Sequence, residues 1–455
     1  MRLYNTLTRD KLELEPGNGP VTLYVCGITT YDYAHLGHAL STITFDVLHR
    51  YLEYRGLKVL RVQNFTDVDD KIIARARREG VPSQEIANKY VEAFQADMDA
   101  LNVRRADVQP RATEEIPQII SLISTLMDNG AAYEAAGSVY FRVRSDDDYG
   151  KLSRRSVDEM LEGTRFDVEP GKEFPADFAL WKASKPGEPA WDSPWGSGRP
   201  GWHIECSAMV LHHIGESVDI HGGGLDLVFP HHENELAQSE TATGVVPFAR
   251  FWVHNGLLRL DGEKMSKSLG NLVSVRDALK EHSPDAIRLW IMGSHYRNPV
   301  LYDIDAISAQ ERALRRLRSA VEVESPGGGN AVDAGPLRER FIEAMDDDMN
   351  TPQAVAALFD LSREIFRGRD SGQDISEAQA ALRELAGVLG LTLEAPQRQD
   401  ADGGLTDDEI EALISERASL RAEKRFADAD AVRDRLASAG ISIADGPQGT
   451  TWSRD

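Results

Sequence analysis

The stretch Asp219–Glu240 reads DIHGGGLDLVFPHHENELAQSE: a histidine and three glycines, an apolar run, a proline, then two histidines among carboxylates. A helix that begins just after Pro230 puts His231 and Glu235 at i and i+4 on one face, a spacing that suits two ligands of one metal ion. The same letters also read as a glycine turn followed by a solvated helix start. Cys26, at the end of the first expected strand, and Cys206, in GWHIECSAM, are the two cysteines of the chain. With His231 and Glu235 they offer two thiolates, an imidazole and a carboxylate, a set that suits zinc. Either cysteine alone reads as well as a small buried hydrophobe. HHENE is not HExxH and no PCxxC follows, which excludes a zincin protease and a zinc deaminase.

Two further groups point to phosphate chemistry. HLGH, residues 35–38, stands between the first expected strand and the first expected helix. Backbone N–H groups and the dipole at a helix start favour an anion, so phosphate belongs there. Gly37 leaves room for an adenine or ribose to lie flat on the backbone. His35 and His38 can donate hydrogen bonds to charge developing on a phosphoryl group, although two histidines capping a helix is the alternative. DGEKMSKSLGN, residues 261–271, places Lys264 and Lys267 in a loop bounded by glycines. Such a loop can close over a polyphosphate and neutralise the leaving group. No GxxxxGK[ST] is present, so this is not a P-loop enzyme.

The elements that must position these groups follow from periodicity. VTLYVCGI (21–28) reads as a buried strand, TTYDYAHLGHA as a turn, and STITFDVLHRYLEYRG as a helix that stops at Gly56. LKVLRVQNF is a second strand, and TDVDDKIIARARREG a second helix with a Thr/Asp cap, ending at Gly80. This is the βαβ pattern of a parallel sheet with ligands at its strand ends. Between about residues 100 and 200, helical stretches such as IPQIISLISTLMDNG alternate with the strand GSVYFRVR, and a Pro/Gly/Trp-rich passage follows. This region reads as an insertion between two halves of the sheet domain. FWVHNGLLRLDG is strand material of the second half. From Asp305 onward the chain reads as helical, broken at SPGGGNAVDAGP and EAPQRQDADGG, with a cap at Asn350 or Thr351 and a small hairpin in ISIADGPQGTTWSRD.

With 455 residues the chain has room for about three domains. Two cysteines exclude a disulfide framework, and the first residues lack an apolar signal region. No apolar run approaches a membrane span, so a reducing cytoplasm is the expected location. The formal net charge of −23 argues against a generic nucleic-acid coat protein. It leaves open a local basic face, for which Arg75, Arg77 and Arg78, or Arg312, Arg315, Arg316 and Arg318, are candidates. Each set reads equally as a solvated helix face.

Taken together, HLGH, KMSKS, YVCG, FTDVDDKI, GWHIECSAM, DIHGGG and FPHHENE resemble the motifs of the cysteinyl-tRNA synthetases, a class I aminoacyl-tRNA synthetase family. HLGH matches the family's HIGH, KMSKS is identical, and the resemblance runs to the tail ADGPQGTTW. It implies an α/β fold: a Rossmann-like parallel-sheet catalytic domain split over 1–100 and 200–300, and a connective region inserted at 101–199. A helical stem at 301–394 and an anticodon-binding region at 405–455 would follow. The implied zinc site is Cys26, Cys206, His231 and Glu235, with zinc bonding the thiol of the substrate cysteine. Serine is nearly the same size, and pocket shape alone would discriminate by only ~100-fold or less.

The resemblance also implies catalytic roles for His35, His38, Lys264 and Lys267, with Mg²⁺ accompanying ATP. Thr66, Trp202 and His221 would surround the substrate; Gly37, His221, Gly222, Gly223 and Gly224 would approach the adenylate; Asp226 would hold its ribose. Core packing is the other reading of Trp202. Arg421, Asp430, Asp445 and Trp452 match positions that read the anticodon of tRNA(Cys), and each also reads as a helix-surface or tail-packing residue. The partners are L-cysteine, ATP and tRNA(Cys), and the implied enzyme is a monomer. One departure stands out: GITTYD at Gly27–Asp32, where the family usually has GPTVYD. GIT there resembles the cysteine ligase of mycothiol synthesis, which joins cysteine to an amino sugar by the same adenylate chemistry but lacks an anticodon-binding tail. A non-catalytic tRNA- or nucleotide-binding paralogue is a third reading, and intact HLGH, KMSKS and four ligands argue against it.

Overall fold

Val21–Thr29 (β1) is rich in β-branched and aromatic residues and is buried over most of its length, as an inner strand of a sheet covered on both faces must be. The computed structural model describes residues 1–157, 171–260, 263–264, 273–394, 407–423, 425–446 and 449–454. After β1 the chain forms helix Leu36–Tyr54 (α1), strand Val59–Thr66 (β2) and helix Asp70–Glu79 (α2). Asp69 caps α2 by accepting from Lys71 N, and Gly80 ends it in the left-handed region. Later come helices Ile116–Asp128 (α3) and Trp202–His213 (α4), strand Val218–Gly224 (β3), helix Glu233–Thr243 (α5) and strand Ala249–Asn255 (β4). The central sheet has the order β4–β3–β1–β2, and every pairing is parallel. One face packs Val25, Ile220 and Val253 against Ile43, Phe45 and Leu48 of α1. The other packs Tyr24, Val62 and Trp252 against Met209 and Val210 of α4.

Residues 132–200 contain a four-stranded antiparallel sheet, Ala132–Ala135, Ser138–Phe141, Phe178–Ala183 and Gly198–Pro200 in that order. The Pro/Gly/Trp passage thus supplies strands that periodicity does not reveal. Its glycines permit the approach: a Cβ on Gly201 would lie 1.9 Å from Ala179 O, and one on Gly198 would lie 2.5 Å from Lys182 O.

Helices Ile304–Glu322, Gly335–Asp346, Thr351–Asp370 and Ser376–Val388 continue the α1-side core through Leu314, Phe341, Leu358 and Leu382. Asn350 caps the third of them by accepting from Gln353 N, with Pro352 in its first turn. Buried Arg288 ties this bundle to α1, donating 2.7 Å to Asp46 and 2.9 Å to Leu389 O. These residues form one compact unit, Met1–Glu394; residues from Ala395 onward form a second. In the second unit, helices Asp407–Ala422 and Phe426–Ser438 and the antiparallel hairpin Ile441–Gly446/Gly449–Arg454 enclose a small core of Ile410, Leu413, Ile414, Leu436 and Ile441. Among the described residues no helix is long and apolar enough to cross a membrane.

Candidate active site and metal centre

Three elements bring four donor side chains together under the C-terminal edge of the sheet. The β1–β2 register slips between Val25 and Ile28. There Gly27 N donates 2.8 Å to Asn64 Oδ1, and a Cβ on Gly27 would lie 1.6 Å from Asn64 O, so only glycine fits. Cys26 sits at this irregularity, Cys206 on the buried face of α4, and His231 and Glu235 across the start of α5. The helix starts at Glu233, preceded by a wider turn over Val228–His232, rather than immediately after Pro230. The i, i+4 pair still meets, with His231 Nε2 2.9 Å from Glu235 Oε1. Cys26 Sγ lies 3.8 Å from Cys206 Sγ and 3.3 Å from Glu235 Oε1, and Cys206 Sγ lies 3.6 Å from His231 Nε2. All four donors are buried and lie within 4.8 Å of one another, a cluster compatible with a metal site.

Around this cluster runs a histidine shell that the sequence motifs did not single out. His232 Nε2 is 3.3 Å from Cys26 Sγ, its Nδ1 is 2.8 Å from His254 Nε2, and His254 Nδ1 is 2.7 Å from Thr6 Oγ1. His203 Nδ1 is 2.9 Å from His231 Nδ1. The signals were HH in PHHENE and the lone histidines of GWHIE and FWVHN, each too common to stand out alone. Trp202 is 38% exposed and stacks on His231 with ring centroids 4.1 Å apart, so it is not a core residue. Thr66 is buried and donates 3.0 Å to Glu205 Oε2, a carboxyl that burial holds well above the usual range.

His221 is fully buried. Its Nε2 lies 2.9 Å from Glu235 Oε2 and its ring stacks on Trp252 at 4.4 Å, so its polar contact is to a donor of the cluster. The glycines after it serve different neighbours. A Cβ on Gly222 would lie 2.3 Å from the Phe45 ring of α1, and one on Gly223 2.9 Å from His232; Gly224 lines the cleft described below.

Burial acts on every group of the cluster, and for Glu235, His231 and Cys206 the neighbouring groups decide the outcome. Burial alone would raise Glu235, but His221 and His231 hold it well below the usual carboxylate range. Burial would lower His231, yet Glu235 and Cys206 push it up to about 10. The hydrogen bond from Cys26 brings Cys206 down to about 6, while burial raises Cys26. The cluster therefore pairs negative charge on Glu235 and Cys206 with a proton on His231, and a metal cation bound there would displace that proton.

HLGH forms the start of α1 rather than a loop before it. His35 is the N-cap: its Nδ1 accepts 3.1 Å from Gly37 N, and its own N–H donates 3.2 Å to His38 Nδ1. Each ring accepts at Nδ1, so each neutral ring carries its proton on Nε2. Burial lowers His35 to about 4, and burial and its neighbour His35 lower His38 well below the usual range; the rings stack 3.7 Å apart. A Cβ on Gly37 would lie 2.9 Å from the His35 ring, so the glycine is required by the histidine pair itself. The cap uses Nδ1 of each ring, so it does not by itself exclude donation from Nε2.

These histidines line an open cleft of about 300 Å³ together with Cys26, Gly37, Lys71, Gly224 and Asp226. Residue types associated with metal and phosphate thus share one cavity. Lys267 lies outside the described residues, as does the side chain of Lys264, whose backbone pairs with Arg259 in a two-residue strand. In the second unit Arg421 and Asp430 are exposed on its two helices. Trp452 donates 2.7 Å to Glu411 and packs on the small core. Asp445 pairs with Thr450 across the hairpin, and its side chain is outside the described residues.

Comparison with known proteins finds relatives along nearly the whole chain. Residues 14–312 match the model of the tRNA synthetases class I (C) catalytic domain. Residues 340–394 match the DALR domain, and 404–452 the cysteinyl-tRNA ligase anticodon binding domain. The chain is 50% identical to the cysteine–tRNA ligase of Dehalococcoides mccartyi over 455 residues, 99% of each chain. It is also 50% identical to that of Alkalilimnicola ehrlichii over 463 aligned residues, 100% of each. In fold it is similar to a Mycobacterium tuberculosis methionyl-tRNA synthetase in complex with methionyl-adenylate, with a TM-score of 0.58 at 16% identity, covering 82% of this chain and 89% of that one. An Agrobacterium radiobacter leucyl-tRNA synthetase in a ternary complex gives a TM-score of 0.59 at 12% identity and 95% coverage of each. With near-complete coverage by such relatives and family matches from catalytic domain to tail, the chain belongs to the cysteine–tRNA ligase family of class I tRNA synthetases.

Proposed function

We infer that the chain activates L-cysteine with ATP to the cysteinyl adenylate, releasing pyrophosphate, and transfers the cysteinyl group to tRNA(Cys), releasing AMP. The observation that carries this reading is the Cys26–Cys206–His231–Glu235 cluster, which meets the cleft of His35 and His38 at Cys26. We assign zinc to that cluster. Bonds of about 2.3 Å to sulfur and about 2.1 Å to nitrogen at tetrahedral angles place two sulfurs about 3.8 Å apart and sulfur and nitrogen about 3.6 Å apart. The sulfur–sulfur and sulfur–nitrogen separations here are 3.8 and 3.6 Å, while Glu235 Oε1 sits closer than that geometry needs, 2.9 Å from His231 Nε2 and 3.3 Å from Cys26 Sγ. Cys26 and Glu235 also gather His221 and His232, but the set with two thiolates is the better match to zinc. Bound there, zinc supplies a soft Lewis acid that favours a thiol over the hydroxyl of serine.

The rest of the chemistry belongs to this chain's own residues. His221 holds Glu235 in place, and Trp202 fixes the plane of the His231 ring. Thr66 and Glu205 border the substrate. The cysteine carboxylate attacks the α-phosphate of Mg²⁺-bound ATP. The Nε2–H groups of His35 and His38, with Lys264 and Lys267, stabilise the charge that migrates to pyrophosphate. Gly37 and Gly224 let the nucleotide approach the backbone, and Asp226 accepts from its ribose; Gly222 and Gly223 support that edge by packing. The terminal ribose hydroxyl of tRNA then attacks the adenylate carbonyl. We assign residues 1–100 and 200–300 to catalysis, with the insertion at 101–199 and the stem at 301–394. The 405–455 region reads the anticodon through Arg421, Asp430, Asp445 and Trp452. The enzyme acts as a cytoplasmic monomer.

Purified protein with ATP should show cysteine-dependent ATP–pyrophosphate exchange and charge tRNA(Cys). Serine should support less than about 1% of that exchange, since size alone yields a discrimination of only ~100-fold. A preference for an amino-sugar acceptor over tRNA would overturn the reading.

A further inference from the structure

Glu115, the residue that leads into α3, is 5% exposed, and among the described residues its ionic partners are two histidines and no lysine or arginine. His212 Nδ1 lies 2.7 Å from its Oε2, and His213 Nε2 lies 2.8 Å from its Oε1. The three donor atoms lie within 4.8 Å of one another, with the imidazole rings 4.4 Å apart. Both histidines occupy the last turn of α4, where the helix dipole favours positive charge. A carboxylate withdrawn from water is stabilised by a compensating positive charge, which a cation held by all three side chains would supply. The His212 side chain is 45% exposed, so the cluster is open to solvent on that side.

We propose that Glu115, His212 and His213 form a second metal site, separate from the cysteine-bearing centre, that takes a divalent transition ion with water completing its shell. Two imidazoles and one carboxylate select Zn²⁺, Ni²⁺ or Cu²⁺ over Mg²⁺ or Ca²⁺. The ion pins the start of α3, in the insertion, to the end of the helix that carries Cys206. It therefore acts as a clip between the insertion and the catalytic sheet's own helix.

The test titrates protein already loaded at the cysteine-bearing centre with Ni²⁺ alone, by calorimetry, beside Glu115→Gln and a His212→Ala/His213→Ala double variant. The wild type takes up one further equivalent, and each variant binds it at least ~10-fold more weakly. Both variants keep the metal content of the first centre and cysteine-dependent exchange, which shows that they fold. No further equivalent up to millimolar Ni²⁺, or equal uptake by the variants, overturns the proposal. On the unaltered protein, one equivalent of added Cu²⁺ gives an electron paramagnetic resonance spectrum with coupling to two imidazole nitrogens; a spectrum without that coupling also overturns it.

Discussion

At the scale of single residues, Cys26 and Cys206 stand 180 positions apart, yet their sulfurs lie 3.8 Å from each other. The two are not interchangeable with serine, because a hydroxyl keeps its proton and bonds weakly to a soft ion. Cys206→Ser should lower both bound metal and the rate of cysteine-dependent exchange by at least ~100-fold, more than the loss of an outer-shell partner usually costs. Metal analysis and pyrophosphate exchange check this; unchanged values for both would remove the cluster from the mechanism. The residue types of the candidate donors were legible in the sequence because cysteine and histidine are scarce and chemically distinctive. The shell of His203, His232 and His254 was not, since its meaning lies in contacts between β4, α4 and the turn before α5.

At the scale of elements, the start of α1 combines a capping role with the chemical role proposed for HLGH. Periodicity places the helix from Ser41, whereas it begins at Leu36, because HLGH closes a histidine capping box that a search for Ser, Thr, Asp or Asn does not find. Removing the cap in His35→Ala should cost about 1 kcal/mol of stability and lower exchange. His35→Asn keeps a capping acceptor, so it should restore most of the stability while exchange stays at least ~10-fold down. Denaturant unfolding beside exchange separates the two effects, and full activity in His35→Asn would reduce the motif to a cap. Burial lowers His35 to about 4, below the value of about 6.5 of an unfolded chain, so the unfolded state takes up the proton first. The His35 contribution to stability is therefore lost as pH falls from about 6.5 towards about 4, and His35→Asn should flatten that part of the profile. The three glycines of DIHGGG divide similarly: Gly222 is a packing requirement of Phe45, and Gly224 faces the cleft.

At the scale of the molecule, each of the two units has its own core, and the cluster, the HLGH helix start and the cleft all lie within Met1–Glu394. A chain ending at Glu394 should therefore retain cysteine-dependent exchange within a few-fold while its kcat/KM for charging tRNA falls at least ~10-fold, the scale of one or two lost base contacts. Equal charging by the shortened chain would assign tRNA recognition elsewhere. By itself the sequence determined the βαβ start, the helical second half, the terminal hairpin and the donor types of the candidate centre. Those features depend on local periodicity and on side-chain chemistry, both of which are written in short windows of residues. Only the tertiary structure decided that the Pro/Gly/Trp passage makes strands, that His221 turns to Glu235, that Trp202 stacks on His231 half in solvent, and that His212 and His213 converge on Glu115. Each of these is set by which distant element packs alongside, and burial and proximity of that kind leave no signature in the residues on either side.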